Sequence, residues 1–155
     1  MPFGTPQRYR EGYVRSVVTP AHTVLVIDDQ VTLARAFALA LESVGYVAHI
    51  AHTAEDGLRL AQREHPAAII LDLRMPFISG TGFLYRLRAL PQHRDTPVLV
   101  VTGAPVNEEL RGELADLRAV VRFKPLGLTD LIKEVHALLN GPPPSSSGPV
   151  HRLVI

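Results

Sequence analysis

Between residues 24 and 140 the chain repeats one pattern five times: a short apolar run, a polar stop, then a stretch with helical periodicity. The runs are Val24–Ile27, Tyr46–Ala51, Ala67–Leu71, Val98–Val101 and Ala119–Phe123. The third run, Ala67–Leu71, is short and rich in Ile and Leu, which suits a strand buried on both faces. Strands that alternate with helices predict an α/β fold, a doubly wound five-stranded parallel sheet with helices on both faces.

The intervening stretches carry helix signals of their own. Leu33, Phe37, Leu41 and Val44 mark one face of a helix over Val31 to Val44, with Gly45 as its stop. Thr53 followed by Asp56 predicts a capped helix start, and Pro66 lies beyond that helix's end. Phe83, Leu84, Leu87 and Leu90 form the third face, which ends at Pro91. The fourth helix spans about Val106 to Arg118 and is weakened by Gly112, at a cost of roughly 1 kcal/mol relative to alanine. Leu128, Leu131, Ile132, Val135, Leu138 and Leu139 fit the helical template of the last.

In a parallel sheet the carboxyl ends of all strands lie on one edge, where open α/β folds bind ligands. Asp28 and Asp29 follow the first run, Asp72 the third, Thr102 the fourth and Lys124 the fifth. Each has an ordinary explanation taken singly: a cap, a turn residue, a solvated lysine. Together they predict three carboxylates, a hydroxyl and an ammonium converging at one edge. Packed carboxylates repel and call for a cation. An all-oxygen set with few protein donors suits Mg²⁺, which keeps some of its waters and bridges to phosphate. A carboxylate can accept a phosphoryl group as an acyl phosphate, and an ammonium and a hydroxyl can neutralise the charge in transit.

These residues carry a resemblance. Residues 24 to about 140 resemble the receiver domain of two-component response regulators, through Asp28-Asp29, the D-x-x-M-P-x-x-x-G run from Asp72 to Gly80, Thr102, and Lys124-Pro125. The resemblance implies the flavodoxin-like strand order 2-1-3-4-5. It implies that Asp72 accepts a phosphoryl group from a histidine kinase or phosphotransfer protein. It further implies Mg²⁺ held by Asp29, Asp72 and the backbone carbonyl of Arg74, with Asp28 acting mainly through water. Thr102 and Lys124 would contact phosphoryl oxygens, and the Lys124-Pro125 bond would be cis. Such a domain is not an enzyme in the usual sense, although it assists its own phosphorylation and dephosphorylation.

The sequence departs from the family in places. Val121 stands where an aromatic switch residue is usual, and Leu126 replaces the usual Phe. The expectation is therefore a signal that runs through Thr102 into Gly103-Ala104-Pro105 and the following helix. Arg74 and Ala104 occupy variable positions that tune phosphoryl lifetime in the family. A second reading, a phosphohydrolase of the haloacid dehalogenase type, needs an Asp-x-Asp motif after the first strand, which Asp28-Asp29-Gln30 does not provide. A third, a receiver-like interaction module that takes no phosphate, is at odds with the intact acidic set.

Composition narrows the setting. A net charge of +1 gives no bulk attraction to nucleic acid or an anionic membrane, so output through protein contacts is expected, with no direct nucleic-acid binding. No apolar run approaches a membrane span of ~18 residues, and Arg8, Arg10 and Arg15 interrupt the first twenty positions, so a cytoplasmic location is expected. There is no cysteine for a disulfide, thiolate metal site or thiol nucleophile. None of the seven histidines, His49 and His52 included, has metal-site spacing; surface or packing roles are expected. Residues 1–23 read as a peripheral arm, and 141–155 as a Pro/Ser/Gly-rich tail.

Overall fold

The computed structural model describes residues 21–141; the expectations for the outer arm and for the tail beyond Gly141 lie outside them. Five strands, β1 (Thr23–Ile27), β2 (Val47–Ala51), β3 (Ala68–Leu71), β4 (Val98–Thr102) and β5 (Ala119–Phe123), form one parallel sheet in the order β2-β1-β3-β4-β5. Five α-helices follow them: α1 (Val31–Ser43), α2 (Ala54–Glu64), α3 (Gly80–Ala89), α4 (Glu108–Asp116) and α5 (Leu128–Asn140). The predicted fold and strand order are those observed.

Side chains alternate across the central strands, so the sheet feeds two cores. Leu25, Ile27, Ile69, Leu71, Val98 and Val100 pack with Phe83, Leu84 and Leu87 of α3 and Leu114 of α4. Val24, Val26, Ile70, Leu99 and Val101 pack with Phe37 and Leu41 of α1 and Leu131 and Val135 of α5. β3 and β4 are buried at every position, whereas the edge strands β2 and β5 are not. That contrast explains the unbroken apolar runs of the middle strands and the mixed sequence VAHIA at the edge.

Local chemistry sets the boundaries that differ from expectation. The Gly45 and Tyr46 amides donate to the carbonyls of Glu42 and Leu41 at 3.1 Å each, with Gly45 at φ 97°. This pair of bonds is a Schellman stop. It uses up Tyr46, so β2 begins at Val47, and it leaves Val44 exposed rather than on the buried face. α4 starts at Glu108 rather than Val106 because the Asn107 side chain caps it, accepting from Leu110 N at 2.8 Å. The expected Thr53 cap accepts from Asp56 N at 3.1 Å.

Candidate functional site

Strand register brings the polar residues together. Ile27 pairs with Leu71, and the Asp72 amide donates to the Ile27 carbonyl at 3.0 Å, so Asp28 and Asp72 leave neighbouring strands side by side. Thr102 pairs with Phe123, and the Lys124 amide donates to the Thr102 carbonyl at 2.9 Å. Carboxylate oxygens of Asp28, Asp29 and Asp72 all lie within 4.8 Å of one another. Asp28, Asp72 and Thr102 are buried; Asp29 is exposed. Lys124-Pro125 is cis, as the resemblance implied.

One cation already stands among the acids. Lys124 Nζ donates to Asp28 Oδ2 at 2.9 Å and to Asp72 Oδ2 at 3.1 Å. The other Asp28 oxygen accepts from Gln30 N at 2.9 Å, and the other Asp72 oxygen from Arg74 N at 3.2 Å. Burial pushes the Asp28 carboxyl above its ordinary value; the Lys124 and Gln30 hydrogen bonds oppose this and do not overcome it. The expected repulsion from a neighbouring carboxylate, Asp72, is the smallest of these influences. For Lys124, burial pulls downward, but the bonds and charges of Asp28 and Asp72 together outweigh it and the ammonium is held above its ordinary value. Thr102 Oγ1 accepts from Ala104 N at 3.1 Å, which leaves its own proton available for another acceptor.

The oxygen set fits a hard divalent cation in donor type and spacing. The loop after Asp72 is shaped by a close approach: Gly80 lies against Asp72 and Leu73, and its amide donates to the Leu73 carbonyl at 3.1 Å. At the lip, Phe77 has φ 68°, Ile78 N donates to Pro76 O at 2.9 Å, and the ring is fully exposed. That is a γ-turn with a left-handed central residue, the strained form of the turn.

Among the described residues, the histidines divide as expected between packing and surface. His93 is buried, with Nε2 2.8 Å from the Ala61 carbonyl and Nδ1 2.8 Å from Thr96 Oγ1. His52 Nδ1 donates to the Asp28 carbonyl at 2.9 Å, which braces the first acidic loop from behind. Two features at the site were missed from sequence, the Gln30 side chain and the Phe77 turn. A glutamine at the residue before a helix, where Ser, Thr, Asp or Asn is preferred, was the available signal for the first.

Comparison with known proteins decides the family. The model of the response regulator receiver domain matches residues 24–136. The chain belongs to this family. A probable transcriptional regulator, ycf27, of Porphyridium aerugineum is 35% identical over 115 residues, 72% of this chain and 47% of that protein. The probable transcriptional regulatory protein TcrX of Mycobacterium tuberculosis is 30% identical over 117 residues, 76% of this chain and 49% of that one. This receiver chain thus spans about half the length of the curated relatives it matches. Among solved structures, Vibrio cholerae chemotaxis protein CheY4 superposes with a TM-score of 0.72 at 27% identity, covering 77% of this chain and 99% of that one. Residues 24–136 are a receiver domain of two-component response regulators, and the haloacid dehalogenase alternative finds no support. Among the described residues no helix is long and apolar enough to cross a membrane.

Proposed function

We propose that this receiver takes a phosphoryl group on Asp72 from a phosphohistidine of a histidine kinase or phosphotransfer protein, and signals through protein contacts in the cytoplasm. The observation that carries the reading is the setting of Asp72. It is a buried carboxylate at a strand end, with one oxygen on a backbone amide and the other on the Lys124 ammonium. In the transfer a carboxylate oxygen of Asp72 forms a bond to phosphorus as the bond from phosphorus to the donor nitrogen breaks. Lys124 and Thr102 are placed to hold phosphoryl oxygens, by charge and by the free hydroxyl proton respectively. Asp28, Asp29, Asp72 and the Arg74 carbonyl would hold Mg²⁺, which when bound supplies neutralising charge to the phosphoryl oxygens. The same groups serve the later hydrolysis, in which water oxygen bonds to phosphorus and the bond from phosphorus to Asp72 breaks. The relatives named as transcriptional regulators support a regulatory output; a protein partner rather than direct nucleic-acid contact by this segment is consistent with its net charge of +1.

Incubation with acetyl phosphate and Mg²⁺ tests the reading. An acid-stable, base-labile mass gain of one phosphoryl group is expected, and Asp72→Asn should abolish it. Undiminished labelling of Asp72→Asn would sink the assignment and favour another acceptor. No labelling of the wild type would favour a receiver that takes no phosphate.

A further inference from the structure

We propose that Gln30 is a water-positioning residue that sets how long the phosphoryl group survives on Asp72; this rests on the reading of Asp72 as phosphoacceptor. Gln30 occupies the residue that caps α1, with φ −76° and ψ 94°, yet its side chain makes no capping bond. Residues with short polar side chains are preferred there because they reach back to the free helix amides. Gln30 forgoes that and turns its carboxamide into the site, where Oε1 accepts from Lys124 Nζ at 3.3 Å. Its backbone amide meanwhile donates to Asp28 Oδ1. Both ends of the residue thus serve the acidic edge.

The three N–H groups of Lys124 reach three oxygens, on Asp28, Asp72 and Gln30. Two belong to carboxylates that phosphorylation would commit elsewhere. The Gln30 contact is the longest of the three and its oxygen carries no charge, so it is the one most easily given up. Asp28, Asp72 and Thr102 are buried while Gln30 is exposed, so Gln30 stands on the side from which solvent reaches the site. Its carboxamide and Asp72 Oδ2 share the Lys124 ammonium, at 3.3 Å and 3.1 Å, which puts Gln30 Oε1 within reach of a water approaching a phosphoryl group on Asp72.

In hydrolysis the water oxygen bonds to phosphorus and the bond from phosphorus to the Asp72 oxygen breaks. Asp72 leaves as a carboxylate, and one water proton passes to a phosphoryl oxygen, giving dihydrogen phosphate. A carboxamide is no base, but its oxygen accepts a hydrogen bond from the water and aims it, as a glutamine does in GTPases.

The test loads the protein with acetyl phosphate and Mg²⁺, removes the donor by desalting and follows loss of the phosphoryl mass. Gln30→Met keeps the length but lacks the acceptor, and should decay about tenfold more slowly, the rate equivalent of one hydrogen bond to the attacking water. Gln30→Glu restores an oxygen at the same reach and should return decay to within about twofold of wild type. Decay of Gln30→Met at the wild-type rate overturns the inference. Equal slowing in both variants also overturns it, because a packing role would not distinguish them. A wild type that never loads overturns the Asp72 reading itself, whereas wild-type decay in Gln30→Met leaves that reading intact.

Discussion

A Cβ placed on Gly80 would stand 2.6 Å from the carbonyl oxygen of Asp72, and equally close to the Cα of Leu73. Both are backbone atoms and neither can swing aside. Gly80 opens α3, so helix propensity alone would favour alanine by at most ~1 kcal/mol. Overpacking of this kind typically costs about 1–3 kcal/mol, and here it should win. Gly80→Ala is expected to lose about 2 kcal/mol in urea denaturation, and to label more slowly with acetyl phosphate because the Asp72 loop must shift. A stabilised, normally labelled variant would show that the loop has room to give.

Asp28 makes the metal-free protein sensitive to acid in an unusual direction. Its folded value lies above the ordinary 3.8, so between those two values the native state holds more protons than the unfolded chain. Stability from this group is therefore present at low pH and lost as pH rises through the folded value. Lys124 is held above 10.5 and stays charged throughout that window, so the change belongs to the carboxyl. Glu64, held below its ordinary value by its hydrogen bond from Arg63, acts with the opposite sign, so the comparison must be made against Asp28→Asn. Urea midpoints measured in EDTA from about pH 4 to 7 should fall more for wild type than for Asp28→Asn. Parallel curves would contradict the raised carboxyl.

Phe77 is held left-handed with its ring wholly in solvent, so the chain gains no packing from it. An L-residue in that region costs roughly 1–2 kcal/mol, and glycine's extra unfolded-state entropy offsets roughly 0.5–1 of this. Phe77→Gly should raise stability by about 0.5–1 kcal/mol. A loss of stability would mean that the ring has a contact its exposure does not reveal.

Val121 packs partly buried against the core beside α4, while Thr102 is fully buried and tied to the α4 loop through Ala104 N. Leu114 is the single buried residue of α4, fewer than in any of the other four helices, and low burial goes with a low cost of local opening. Binding of beryllofluoride should change hydrogen exchange across residues 103 to 118, through the pull on the Thr102 hydroxyl. Thr102→Ala should remove that response, and Val121→Ala should keep it. Loss of the response in Val121→Ala, with folding and beryllofluoride binding intact, would place the switch on β5 instead.

Burial periodicity is a local property, and so it was legible along the chain. The run Ala67–Leu71 was legible as a strand buried on both faces, and the polar residues that end the runs had to share an edge once the strands were parallel. The resemblance added the strand order and the separate roles of the acids. What depended on tertiary structure was contact between residues whose separation no local pattern encodes. Lys124 meets Asp28 across ninety-six positions, and only the register through β3, β4 and β5 delivers its ammonium between two carboxylates. The same register let Gln30 abandon its cap for Lys124, because a glutamine chooses between partners that three-dimensional packing supplies. The Schellman bonds at Tyr46, the cap at Asn107 and the turn at Phe77 were decided there too. Sequence periodicity determined which residues are buried and on which edge the polar ones gather; backbone geometry and register determined which of them touch.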